Sequence, residues 1–155
     1  MNYTEFLKNK AQLTGEFGFD PLYIPDKAFD FQKHIIEWGI KKGRGAIFAD
    51  TGLGKTLMQI ALAQNVVEKT NGNVLILTPL AVAFQFLDEA AGMDIEIEHS
   101  RDGKFTKKIV VSNYERLDKF NSTDFECVIL DESSILKNFD GKFKTHIIEF
   151  MKKIQ

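Results

Sequence analysis

A three-layer α/β domain around a mostly parallel sheet is the fold class this sequence predicts, and three observations predict it. Short apolar runs alternate with helix-patterned segments from Gly45 to Leu130. One strand-to-helix junction is glycine-rich, at Thr51-Gly52-Leu53-Gly54-Lys55-Thr56, and a later apolar run closes on two adjacent carboxylates, Asp131 and Glu132. With 155 residues, 44% of them hydrophobic and 27% charged, the chain matches one ordinary globular domain, residues 1–155.

Taken in order, residues 1–30 read as an irregular lead-in, broken by Gly15, Gly18, Pro21 and Pro25, with one short helix over Thr4–Gln12 and apolar side chains that pack on the domain. From Phe31 the spacing of Ile35, Trp38 and Ile40 predicts a helix that Gly39 and Gly43 bring to an end. Strands follow at Gly45–Ala49, Val74–Thr78, Asp94–Glu98, Ile109–Ser112 and Cys127–Leu130. Helices are predicted at Lys55–Glu68 and Leu80–Ala91, and the chain ends in a helix or its exit at 151–155. No repeat or low-complexity tract interrupts the pattern.

Bulk properties exclude several classes. No apolar run is long enough to span a bilayer, and the start lacks the basic and apolar regions of a secretory signal, so a cytoplasmic protein with no membrane partner is expected. The single cysteine, Cys127, forms no disulfide framework, and the scattered His34, His99 and His146 suggest no metal site. A net charge of −2 supplies no global field for holding a polyanion.

The glycine-rich junction is a phosphate-binding pattern. Gly52 and Gly54 let the backbone turn its N–H groups inward at the positive end of a helix. Lys55 is placed to reach the β- and γ-phosphates of ATP, and Thr56 to put its hydroxyl on Mg²⁺, with Thr51 and Leu53 completing the loop. Its first position is Ala49 where the general pattern has glycine. In a parallel sheet, ligands lie beyond the carboxyl ends of strands, so Asp131 should meet the loop. It would then hold the Mg²⁺ hydration shell while Glu132 acts as general base on water.

With these motifs in place, the chain resembles superfamily 2 helicases, whose first motif begins with alanine, as Ala49 does. Phe31-Gln32 is similar to the adenine-reading glutamine motif and Leu77-Thr78-Pro79-Leu80 to motif Ia. Val111 to Leu117 is similar to the Swi/Snf-type segment, and Asp131-Glu132-Ser133-Ser134 to motif II, with wording like that of phage and prophage Swi/Snf-related helicases. The resemblance implies a RecA-like fold, ATP and Mg²⁺ as cofactors, and Gln32 on the adenine edge. It implies nucleic acid, double-stranded DNA by preference, as partner, and a DNA helicase or translocase as function. Thr78, Ser112 and Asn113 fall where such proteins touch sugar-phosphate, with turn formation as the alternative. Arg101, Lys104, Lys107 and Lys108 read as a charged hairpin facing solvent, with contact to phosphate as the alternative.

The chain departs from the pattern at Ser133 and Ser134, which bears on how hydrolysis couples to nucleic acid. No motif III and no second RecA-like lobe occur before Gln155, so a half-motor that is slow alone is expected, completed by a second lobe in cis. Two other readings stand beside it: a nucleotide-binding regulatory module that does not hydrolyse ATP, and a small P-loop kinase.

Overall fold

Strands β1 (Val74–Thr78), β2 (Ile97–His99), β3 (Ile109–Asn113) and β4 (Cys127–Leu130) run parallel in the order β2-β3-β1-β4. They are seen in a computed structural model that describes residues 17–47, 49 and 52–154. The helix expected over Thr4–Gln12 lies outside the described residues, as do Phe48, Asp50, Thr51 and Gln155. Every residue of β1 and β3 is buried, which is why they read as unbroken apolar runs rather than alternating ones.

Among the described residues, helix α1 (Asp30–Lys42) packs on α2 (Lys55–Thr70), and α2, α3 (Ala83–Gly92) and α4 (Gly141–Lys152) cover the sheet. On one face Val74 and Ile76 of β1 and Ile109 and Val111 of β3 pack with Ile60 and Ala63 of α2 and with Phe86 and Ala90 of α3. On the other, Leu75, Leu77 and Val110 meet Tyr114, Leu117, Phe120 and the α4 residues Ile147 and Phe150. Successive strand residues point to opposite faces, so one strand feeds both cores. Asp140 starts α4 by accepting the Phe143 N–H at 2.8 Å.

The lead-in is pinned at two places. Backbone N–H groups of Phe17, Gly18 and Phe19 donate to the carbonyls of Lys42, Lys41 and Ile40, satisfying acceptors that a helix end leaves open. Fully buried Asn65 of α2 accepts from the N–H groups of Leu22 and Tyr23 and donates to the carbonyls of Tyr23 and Ala61. Phe19, Tyr23, Ile24 and Ala28 then pack where α1 meets α2, as the lead-in was expected to do, whereas Phe17 and Leu22 remain exposed.

Four expectations are corrected. Gly45, Ala46, Ile47 and Ala49 have no strand pairing, and exposed Gly45 and Ala46 lack the two-sided burial that holds β1 and β3. Helix α3 is preceded by a separate 3-10 turn over Leu80–Val82, directly after Pro79. The strand predicted from Asp94 begins only at Ile97, because Asp94 is left-handed at φ 56° and the Ile95 N–H still bonds the Ala90 carbonyl of the helix exit. Finally, residues 100–108 are not a hairpin. Strands β2 and β3 are parallel, and the connection is stitched by Ser100 Oγ to the Lys104 carbonyl at 2.7 Å and by the Lys107 N–H to Glu98 Oε1 at 2.9 Å.

Candidate functional site

The site lies at the carboxyl edge of the sheet, where α2 begins beside the end of β4. Gly52 (φ 85°) and Gly54 (φ 75°) both adopt the left-handed region, and Gly54 caps α2 with Lys55 as its first residue. A Cβ on Gly52 would meet no atom within 4 Å, so this tip of the loop borders open space. A Cβ on Gly54 would run into Gln32 Nε2, so a side chain there would displace that amide as well as strain the left-handed backbone.

Gln32 is the reason for that tightness. It is 5% exposed, its Oε1 accepts the Phe29 N–H at 2.9 Å, and its Nε2 donates to the Leu53 carbonyl at 3.0 Å. One amide therefore ties the start of α1 to the glycine-rich loop. Sequence reasoning placed Gln32 at this site through its resemblance to an adenine reader; the structure brings it to the loop's backbone instead of leaving the amide facing solvent. Leu53, in the same loop, is exposed.

Asp131 follows β4 and is 8% exposed. Its N–H continues the ladder to the Leu77 carbonyl at 2.8 Å, and its own carbonyl accepts the Tyr114 hydroxyl. Each carboxylate oxygen holds one donor: Oδ1 accepts from Gln59 Nε2 at 2.8 Å and Oδ2 from Thr78 Oγ1 at 2.8 Å. Burial, and then the charges of Asp131 and Glu132, raise the Tyr114 pKa well above the ordinary phenol value, so Tyr114 stays a neutral donor.

Glu132 takes the left-handed conformation at φ 51°, ψ 49°, which turns its side chain out of the strand direction and toward the loop. Its Oε1 accepts from Ser134 Oγ at 2.8 Å and its Oε2 stands 3.7 Å from Lys55 Nζ. The Lys55 and Glu132 side chains are 33% and 52% exposed, so this ion pair contributes at most about 1 kcal/mol and can open at little cost.

Lys55, Thr56, Asp131 and Glu132 are thus brought to one edge, as expected from the strand-end rule. Thr78 and Ser112 are not presented outward: both are fully buried, Thr78 on Asp131 and Ser112 donating to the Ser100 carbonyl at 2.6 Å. Asn113 Nδ2 donates to Glu115 Oε2 at 2.8 Å. In the basic group, Lys107 pairs with Glu96 at 3.2 Å and Lys108 Nζ donates to the Asn71 carbonyl at 2.9 Å. Sequence reasoning missed Gln59; its position one helical turn beyond Lys55 on α2 was the available signal.

Comparison with known proteins agrees with this fold. The ResIII family, described as the Type III restriction enzyme res subunit, matches residues 27–153. The crystal structure of the UvsW helicase from bacteriophage T4 is similar over 99% of this chain and 57% of that one, with a TM-score of 0.69 at 20% identity. The Sulfolobus solfataricus SWI2/SNF2 ATPase core domain is similar over 86% of this chain and 31% of that one, again with a TM-score of 0.69 at 20% identity. The same core in complex with dsDNA gives 0.64 at 21% identity, over 88% of this chain and 32% of that one. The chain therefore spans 57% or less of the length of these structures. At such identities the likeness establishes the fold.

Proposed function

The chain belongs to the ResIII family as a superfamily 2 helicase lobe of RecA-like fold, and from that premise we propose that it binds ATP with Mg²⁺ and forms the nucleotide-binding half of a DNA translocase or helicase. The observation that carries this reading is the convergence of Lys55, from the start of α2, on the acidic turn after β4, with Lys55 Nζ 3.7 Å from Glu132 Oε2.

The residues present suit a phosphate-bound metal. Gly52 borders open space, Gly54 and Leu53 lead into a helix N-terminus, and a buried amide oxygen without a partner, Gln59 Oε1, belongs to the side chain that holds Asp131. In the proposed site the loop at residues 51–56 would receive the phosphates, Lys55 would leave Glu132 for the β- and γ-phosphates, and Thr56 and Asp131 would hold the metal. Gln32, whose amide holds the Leu53 carbonyl and the Phe29 N–H, would use its remaining amide hydrogen and lone pair on the adenine edge. Bound Mg²⁺ would supply neutralisation of the phosphate charge. Glu132, half-exposed and released by Lys55, then orients water and takes its proton.

A second RecA-like lobe in cis and a duplex DNA track complete the proposal. Its support is that one of the similar structures is a SWI2/SNF2 core in complex with dsDNA. The T4 UvsW likeness favours a phage-type setting, in the cytoplasm of a bacterial or phage-infected cell. No helix among the described residues is long and apolar enough to cross a membrane.

Titration calorimetry of ATP and ADP with Mg²⁺ against the chain and its Lys55→Ala variant tests the site. Binding that falls by about two orders of magnitude is expected, roughly 3 kcal/mol for charge-assisted contacts to phosphate. Unchanged affinity would sink the assignment. Because the loop and turn present one side of the nucleotide, turnover by the chain alone should be slow and barely stimulated by duplex DNA at low salt.

A further inference from the structure

We infer that Gln59 is a positioning residue for the metal side of this site: its amide N–H fixes the Asp131 carboxylate while its amide oxygen accepts a hydrogen bond from the hydration shell of phosphate-bound Mg²⁺. The inference rests on the nucleotide-site reading above and goes beyond it by assigning a residue outside both sequence motifs.

Gln59 lies four positions after Lys55 on α2, so the two side chains leave the same face of the helix one turn apart. Lys55 reaches Glu132, which is half-exposed, and Gln59 reaches Asp131, which is buried. The orientation of the amide follows from its partner: an ionised carboxylate only accepts, so the atom 2.8 Å from Asp131 Oδ1 is the NH₂ nitrogen, and the oxygen points elsewhere. That oxygen is buried without a hydrogen-bond partner. A buried amide oxygen left open is unfavourable unless a donor arrives.

Asp131 narrows what the donor can be. Thr78 holds Oδ2 and Gln59 holds Oδ1, so the carboxylate plane is fixed from two sides while each oxygen retains a lone pair for a further donor. Magnesium keeps several of its waters when bound by carboxylates and phosphates, and each is a donor. A water set against Asp131 is therefore within the surroundings of the same amide that holds Asp131. The two other buried side-chain atoms without partners among the described residues, His99 Nε2 and Asn113 Oδ1, belong to β2 and β3, on side chains that make no hydrogen bond to Asp131. Partners of this outer kind orient a ligand and tune its metal, and their loss reduces metal affinity by about 10- to 100-fold.

Calorimetric affinity for ADP is measured in Mg²⁺ and again in EDTA for the parent chain, Gln59→Met and Lys55→Ala. Gln59→Met keeps the length and volume but has neither donor nor acceptor. It is expected to match the parent in EDTA within about twofold and to lose about tenfold of the gain that Mg²⁺ brings. Lys55→Ala is expected to lose affinity in both conditions, which separates phosphate binding from metal positioning. The same loss in an Asp131→Asn background should vanish, because both residues act through one carboxylate. A Gln59→Met protein with the parent's full Mg²⁺ gain, or one weakened equally with and without metal, overturns the inference. A parent that binds no nucleotide in either condition overturns the underlying site reading instead. If Gln59→Met melts below the assay temperature, Gln59→Asn, one carbon too short to reach Asp131, takes its place: a tenfold loss confined to Mg²⁺ supports the inference, and an unchanged Mg²⁺ gain overturns it.

Discussion

The loop at Gly52–Gly54 and the turn at Asp131–Glu132 solve opposite problems with the same backbone conformation. Both lie at the carboxyl edge and both enter the left-handed region. The loop does so with glycines, which carry no side-chain penalty there, and it borders open space. The turn does so with Glu132, at a cost of about 1–2 kcal/mol for a residue with a Cβ, and is held by surrounding bonds to Leu77, Tyr114, Thr78, Gln59 and Ser134. A cradle that offers backbone N–H groups must let its ligand come close, so side chains are absent. An acid pair that must point at one place needs side chains, and neighbours that over-determine them.

That contrast is sharpest in turnover. In a two-lobed protein carrying this lobe, Glu132→Gln should leave nucleotide affinity near the parent's while hydrolysis falls by about 10²–10⁴-fold, because an amide cannot take the proton from water. Steady-state phosphate release beside calorimetric affinity checks it; equal turnover would show that Glu132 is not the base and that the turn's strain serves something else.

Next in size is the loop's own glycine. Gly54→Ala places a Cβ against Gln32 Nε2 in a left-handed position and should break the Gln32–Leu53 bond, weakening nucleotide binding by roughly 2 kcal/mol, or about thirtyfold. Far-UV circular dichroism should remain that of the parent, since the loop carries little of the core. If Gly54→Ala instead unfolds the chain, the loop is structural and its contrast with the turn is lost.

The turn's rigidity predicts a smaller, purely conformational effect. Tyr114→Phe removes the buried hydroxyl that donates to the Asp131 carbonyl and should destabilise by about 1–2 kcal/mol, lowering the melting temperature by roughly 3–6 °C. A scan that shows no shift would mean water replaces the hydroxyl and the turn is less fixed than its bonds suggest. Smallest of all, Glu132→Gly makes the turn chemically like the loop. Relief of the left-handed strain, less the added freedom of the unfolded chain, should raise stability by up to about 1 kcal/mol in a urea melt while hydrolysis is lost.

Chain order and residue type determined the class of this protein. The apolar runs of β1, β3 and β4, the glycines on either side of Leu53 and the adjacent acids after Leu130 each have a local cause, and local causes are legible in sequence. Their meeting at one edge was legible too, because parallel strands all end on the same side. Tertiary structure decided what depends on partners distant in sequence. The burial that makes β1 and β3 central and leaves Gly45 and Ala46 without strand pairing comes from helices that close over the sheet only once it is folded. The same holds for the parallel pairing of β2 with β3 across residues 100–108, where charge patterning alone favoured a hairpin. Thr78 reads in sequence as a small polar residue at a strand end; only the ladder between β1 and β4 sets its hydroxyl against Asp131. Asn65 and Gln59 are likewise unmarked in a helical pattern, since a polar side chain on α2 acquires a role only from what the folded chain places within about 3 Å of it.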